Sequence, residues 1–161
     1  MAERLAICPG SFDPITTGHV RIISSALNLF DRVVVAVTIN LSKKPLFTDD
    51  ERMEMIRTCF PDESRLKVEG LDGLLASYAA DKKAVAIVRG LRAPSDFEYE
   101  LQMAQMNRHL NPGLETVFLA AEASGSYVSS SLVKEVAALG GDVSSLVPPH
   151  VARALTDRLQ P

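Results

Sequence analysis

Only two cysteines, Cys8 and Cys59, occur in 161 residues, and both fall in apolar stretches, one strand-like and one helix-like. They read as reduced core residues and exclude a disulfide framework as the source of stability. The chain also lacks a strong charge of either sign: 17 basic against 20 acidic side chains leave a formal charge of −3. That balance gives no whole-chain reason to expect nucleic acid or an anionic membrane as a partner, so any anion site must be built locally. No apolar run nears the roughly 20 residues that span a bilayer, and the sequence opens on a strand with no charged-then-apolar leader. A cytoplasmic location is expected. A Walker A sequence and a G-x-G-x-x-G turn are missing, which argues against P-loop and dinucleotide-binding readings. So are a nucleophile elbow and any metal-ligand spacing among the histidines and cysteines.

What is present is an ordinary globular composition, 47% apolar and 23% charged, at a length that suits one domain over 1–161 with one well-buried core. Strand-like and helix-like segments alternate. Strands are expected over 4–8, 32–38, 65–69, 84–88 and 116–121, the second being a continuous β-branched run suited to a central parallel strand. Helices are expected over 19–30, from a capping box at Thr48 and Glu51 to about Phe60, and over 74–81. Three more follow: from Pro94 or Ser95 to about Leu110, from Ser129 to Gly140, and over 148–159. Five strands separated by helices predict a doubly wound five-stranded parallel sheet with right-handed crossovers, order 3-2-1-4-5, ending in C-terminal helices. In that order strands 1 and 4 are neighbours at the switch point. The loop 9–18 and the segment 89–92 then converge on one crevice.

Both stretches carry chemistry. The first reads Cys8-Pro-Gly-Ser11-Phe12-Asp-Pro-Ile-Thr-Thr17-Gly18-His19, with a glycine where backbone can pass close to a ligand and a histidine on the first turn of a helix. A histidine there can donate to a phosphate oxygen while the helix N-terminus adds its dipole, although a glycine turn beside a surface histidine would look the same. Ser11 can equally be a local turn cap. The second stretch, Arg89-Gly90-Leu91-Arg92, places two guanidiniums at the end of a buried strand with no acidic residue before Asp96. Unpaired buried charge is costly, which favours an anion as their partner; the alternative is pairing with Asp96 or Glu98. Lys43-Lys44 leaves the end of a central strand, and Ser129-Ser130-Ser131 opens a helix as either a cap or a phosphate cradle. Local chemistry alone therefore yields a phosphate-rich ligand at the carboxyl edge of the sheet, with no covalent nucleophile.

The stretch 9–19 resembles the opening signature of the nucleotidyltransferases that carry a T/H-x-G-H motif. Ser42-Lys43-Lys44-Pro45, 87–92, 96–100 with 106–110, and 128–135 stand in the order and spacing of the bacterial phosphopantetheine adenylyltransferase family, so the resemblance spans essentially the full chain. It implies a Rossmann-like nucleotidyltransferase fold. The implied reaction is reversible: ATP and 4′-phosphopantetheine give dephospho-coenzyme A and pyrophosphate, the penultimate step of coenzyme A synthesis, by in-line attack without a covalent intermediate. It further implies Mg²⁺ accompanying the ATP phosphates with no metal ligand from the protein, and a homohexamer built as a dimer of trimers. It leaves open whether coenzyme A also binds.

Residue by residue, the resemblance assigns catalysis to His19, Lys43 and Ser11, with His19 stabilising the transition state. ATP would meet Ser11, Phe12, His19, Gly90, Leu91, Arg92 and Glu100, together with Gly125, Ser126, Tyr127, Val128, Ser129, Ser130 and Ser131. Phosphopantetheine would meet Ser11, Lys43, Leu75 and Arg89. Departures from the commonest family pattern are Ser11 for threonine, Arg21 where an acid often stands, and Gly125 for a frequent tryptophan.

Overall fold

The computed structural model describes residues 3–39, 44–121 and 128–160. Its strands are β1 (Leu5–Gly10), β2 (Arg32–Thr38), β3 (Leu66–Leu71), β4 (Ala86–Leu91) and β5 (Glu115–Ala120), and its helices are α1 (Thr17–Leu29), α2 (Asp49–Cys59), α3 (Leu75–Asp81), α4 (Pro94–Leu110), α5 (Ser130–Ala138) and α6 (Pro149–Leu159). The strands form one sheet in the order β3-β2-β1-β4-β5, with every pair parallel, as the alternating pattern predicts.

Alternation along the central strands divides the interior in two. Ala6 and Cys8 of β1 and Val33, Val35 and Val37 of β2 face the larger cluster, under α1, α2, α5 and α6. Ile7, Val34 and Ala36 face a smaller one with Ala79 of α3 and Leu114. Both faces are covered, so these strands read as unbroken apolar runs. Each fully buried valine contributes about 1.5–3 kcal/mol over leaving it exposed.

Element ends differ from expectation where capping decides them. Helix α1 begins at Thr17, two residues early, because Thr16 caps it: the Thr16 hydroxyl accepts from the His19 N–H while the His19 side chain accepts from the Thr16 N–H. Strand β4 runs on through Arg89 and Gly90 to Leu91. Arg89 is therefore a strand residue with a fixed direction, not part of the loop beyond it. Ser129 caps α5, its hydroxyl accepting from the Leu132 N–H.

Candidate active site

Pairing of β1 with β4 sets the loop after β1 beside the end of β4. Arg89 closes the seam: its Nη1 donates to the Pro9 carbonyl at 2.7 Å. Its Nε and Nη2 donate to the two oxygens of Glu100 on α4, at 2.9 and 2.7 Å. Arg92 donates to the Val128 carbonyl at 2.9 Å and pairs with Asp96 at 3.4 Å. Both guanidiniums thus have acidic partners: for Arg92 it is Asp96, an alternative the sequence left open, whereas for Arg89 the carboxylates the sequence offered are corrected. The partner of Arg89 is neither Asp96 nor Glu98 but Glu100, which helix α4 carries back over the strand.

Phe12 has a left-handed backbone, φ +47°, uncommon and strained for an aromatic residue. Its ring is buried and packs tightly over Gly10, where an added Cβ would stand 3.0 Å from the Phe12 ring. The Phe12 and His19 rings stand in a T-shaped arrangement, with centroids 5.0 Å apart. Glycine at position 10 permits this approach, and the approach in turn fixes the imidazole.

His19 Nδ1 lies 3.0 Å from the Thr16 nitrogen. A backbone N–H can only donate, so Nδ1 is the acceptor and the neutral ring carries its proton on Nε2. Burial, with the Arg92 and Arg89 charges adding to it, pushes the His19 pKa down to about 4. At neutral pH the ring is therefore an uncharged Nε2–H donor. Cys8, beneath the loop, is pushed up to about 12 by burial and stays a thiol, and both cysteines are free, as expected.

Two cavities open on this seam. One, of about 450 Å³, is walled by Phe12, His19, Gly90, Arg92 and Val128. The other, of about 850 Å³, is walled by Leu75, Asn107, Lys44, Ser131 and Lys134. They share Pro9, Gly10, Ser11, Arg89, Tyr99 and Glu100. Of the eleven described residues assigned to ATP, seven line the smaller cavity, Ser130 and Ser131 line the larger one with Leu75, and Leu91 and Ser129 line neither. Ser11 and Arg89 stand where the two meet. Of the serine triplet, Ser129 is occupied as a cap and Ser130 donates to the Pro14 carbonyl at 2.8 Å, while Ser131 is exposed on the cavity wall. Lys43, Gly125, Ser126 and Tyr127 lie outside the described residues.

Three supporting residues escaped sequence reading. Asp13, buried, accepts from the Leu46 and Phe47 N–H groups at 3.0 Å each and from Lys134 at 2.7 Å. Burial alone would raise its pKa; the Lys134 ammonium and the two N–H donors reverse that and hold it below the usual value. Arg52, in the first turn of α2, is buried and donates to the Ser11 carbonyl at 2.5 Å and to the Thr38 carbonyl at 3.3 Å. Its Nη2 pairs with Asp49. A cation in a first turn opposes the helix dipole, and that was a readable signal. Asn107 is a buried amide on α4 lining the larger cavity; it lies in the 106–110 stretch that carries the resemblance, but no role was assigned to it.

Comparison with known proteins gives the family and the fold. The cytidylyltransferase-like family model matches residues 7–136. A phosphopantetheine adenylyltransferase of Nocardioides is 56% identical over 154 residues, covering 96% of each chain. One from Streptomyces coelicolor is 54% identical, covering 98% of each, and one from Geobacter sulfurreducens is 51% identical, covering 98% of this chain and 96% of its own. The crystal structure of a Vibrio parahaemolyticus protein assigned as a nicotinate-nucleotide adenylyltransferase superposes with a TM-score of 0.69 at 18% identity, over 96% of this chain and 92% of that one, and bears on fold alone. With a family model matching most of its length and near full-length relatives above half identity, this chain belongs to the cytidylyltransferase-like nucleotidyltransferases and, within them, to the phosphopantetheine adenylyltransferase family.

Proposed function

We propose that the two cavities hold ATP and 4′-phosphopantetheine, and that the chain transfers the adenylyl group between them to give dephospho-coenzyme A and pyrophosphate. The observation that carries this reading is the meeting of the cavities at Ser11 and Arg89, with His19 on the wall of the smaller one. A phosphate nucleophile is already ionised at neutral pH, so no strong base is required. What must be supplied is alignment of two anions and neutralisation of charge at the α-phosphate. His19 serves as the Nε2–H donor to that phosphate, its tautomer held by the Thr16 N–H. Ser11 bonds the phosphates from the junction. Arg89, oriented by Glu100, holds the pantetheine phosphate, and Arg92 faces the nucleotide. Glu100, assigned to ATP by its motif, has both oxygens engaged by Arg89 and so acts chiefly by orienting that guanidinium. Lys43, by its motif, neutralises the attacking phosphate, and Leu75 packs against the pantetheine arm. No enzyme-bound adenylate is needed.

Mg²⁺ would accompany the ATP phosphates. Among the described residues no three histidine, cysteine or acidic side chains group as metal ligands. Asp13 and Glu100 on the cavity walls are committed to Lys134 and Arg89. That donor set suits an ion held chiefly by substrate oxygens and water, where it neutralises phosphate charge. No helix among the described residues is long and apolar enough to cross a membrane, and a biosynthetic role with small charged substrates fits a cytoplasmic setting. A homohexamer is supported by the unusual surface of α4, whose buried side chains are the polar Glu100 and Asn107 while Phe97, Tyr99, Leu101, Met103, Met106 and Leu110 are exposed.

The deciding experiment incubates purified protein with ATP, Mg²⁺ and 4′-phosphopantetheine and follows dephospho-coenzyme A by chromatography. Stoichiometric pyrophosphate release is expected. Turnover with a different nucleotide or phosphorylated acceptor, and none with this pair, would overturn the reading. Lys43→Ala should reduce turnover by orders of magnitude in folded protein.

A further inference from the structure

We infer that Arg52 is a positioning residue for catalysis: it sets the Ser11–Phe12 backbone and, through Phe12, the imidazole of His19. The inference rests on the adenylyltransferase reading above. Its starting point is that Arg52 is poorly placed for stability. Its cation is 2% exposed, in the first turn of α2, against the helix dipole, and its Nε is buried with no hydrogen-bond partner among the described residues. The remaining donors reach across the fold to the Ser11 carbonyl at 2.5 Å, to the end of β2 at Thr38, and to Asp49.

Holding the Ser11 carbonyl fixes a whole peptide plane. That peptide is trans, so its Phe12 N–H points opposite to the carbonyl, away from Arg52. The next backbone torsion is the left-handed φ of +47° at Phe12, a strained state that persists only when its surroundings over-determine it. Arg52 provides one constraint, and the packing of the Phe12 ring against Gly10 and the His19 ring provides the other. Removing the guanidinium releases the peptide, and the aromatic ring transmits the change to His19. Because the guanidinium is engaged with protein groups, the loss should fall on alignment more than on substrate affinity.

The test compares Arg52→Met, which keeps much of the packing volume, and Arg52→Lys, which keeps the charge, with the unaltered protein. The readouts are kcat and KM for each substrate, the thermal midpoint, and the imidazole NMR signals of His19, with those of exposed His109 as control. Misalignment of about 1 Å can cost on the order of 100-fold in rate. For Arg52→Met we expect kcat to fall about 10- to 100-fold with both KM values within about threefold, and His19 signals to move while His109 stays. Arg52→Lys should recover part of kcat. A kcat near that of the unaltered protein, unmoved His19 signals, or a loss confined to KM would each overturn the inference. If Arg52→Met does not fold, Arg52→Lys decides: reduced kcat with displaced His19 signals supports the role, and unaltered values of either one overturn it. Absence of dephospho-coenzyme A from the unaltered protein would count against the function, and the His19 signals would still judge Arg52.

Discussion

His19 owes its chemistry to one backbone donor. The Thr16 N–H occupies Nδ1, so the proton sits on Nε2 whenever the ring is neutral, and burial with Arg92 and Arg89 keeps it neutral down to a pKa of about 4. Two outcomes follow for this residue. Removing a donor that stabilises transition-state charge typically costs about 10²–10³ in kcat, about 2.7–4 kcal/mol, so His19→Ala should lose that much turnover with the fold intact. Steady-state rates of the purified variant check it. The second outcome concerns stability. Unfolded His19 takes up a proton near its ordinary pKa of 6.5, whereas the folded ring resists protonation until about 4. Between those values the unfolded chain binds more protons, so His19 lowers folding stability as pH falls from 6.5 towards 4. Urea titrations across that window should show a shallower pH slope for His19→Gln than for the unaltered protein. Equal slopes would contradict an imidazole held neutral across that window.

At the scale of elements, Asp13 is the knot between the loop after β1, the chain entering α2, and α5. Its two oxygens satisfy Leu46, Phe47 and Lys134 at once, and Arg158 of α6 clamps the same corner by donating to the Leu46 carbonyl at 2.8 Å. An amide has one acceptor oxygen, so Asp13→Asn strands a donor and should cost about 1–3 kcal/mol in a denaturant melt at pH 7. Since the folded carboxyl is held below its usual 3.8, its contribution is present above that pH and fades as pH falls further; the gap between variant and parent should close in acid. This knot also marks what sequence could convey. The alternation of strand and helix, and hence the sheet order, is written in local periodicity and was legible. So was the convergence of Ser11, His19, Arg89 and Arg92, which follows from that order. The pairing of Arg92 with Asp96, four residues on, was an open alternative, but the carboxylate paired with Arg89 and the contacts of Asp13 and Arg52 depend on how helices return over the sheet. Glu100 stands 11 residues from Arg89, and Lys134 stands 121 from Asp13, separations at which no local pattern acts.

For the whole molecule, helix α4 poses the remaining problem. An amphipathic helix normally buries its apolar stripe, yet Tyr99, Met103, Met106 and Leu110, at 64, 38, 53 and 48% exposure, lie at spacings of four, three and four along one side. The stripe begins at the rim of the larger cavity, where Tyr99 and Met103 are wall residues, and continues outward past it. Contiguous apolar surface of this kind marks an association site more often than a free surface. A second copy of the chain seated there would cover the stripe and also stiffen the helix that holds Glu100 against Arg89. Assembly and catalysis would then be linked through α4. Light scattering should accordingly find the protein above its single-chain mass, at six times it for the homohexamer proposed, and Met106→Asp with Leu110→Asp should yield smaller species, because each carboxylate would have to be buried without a partner. Those species should also turn over more slowly, as α4 loses its cover. A single-chain mass for the unaltered protein, or assembly unaffected by both aspartates, would remove the stripe from the interface.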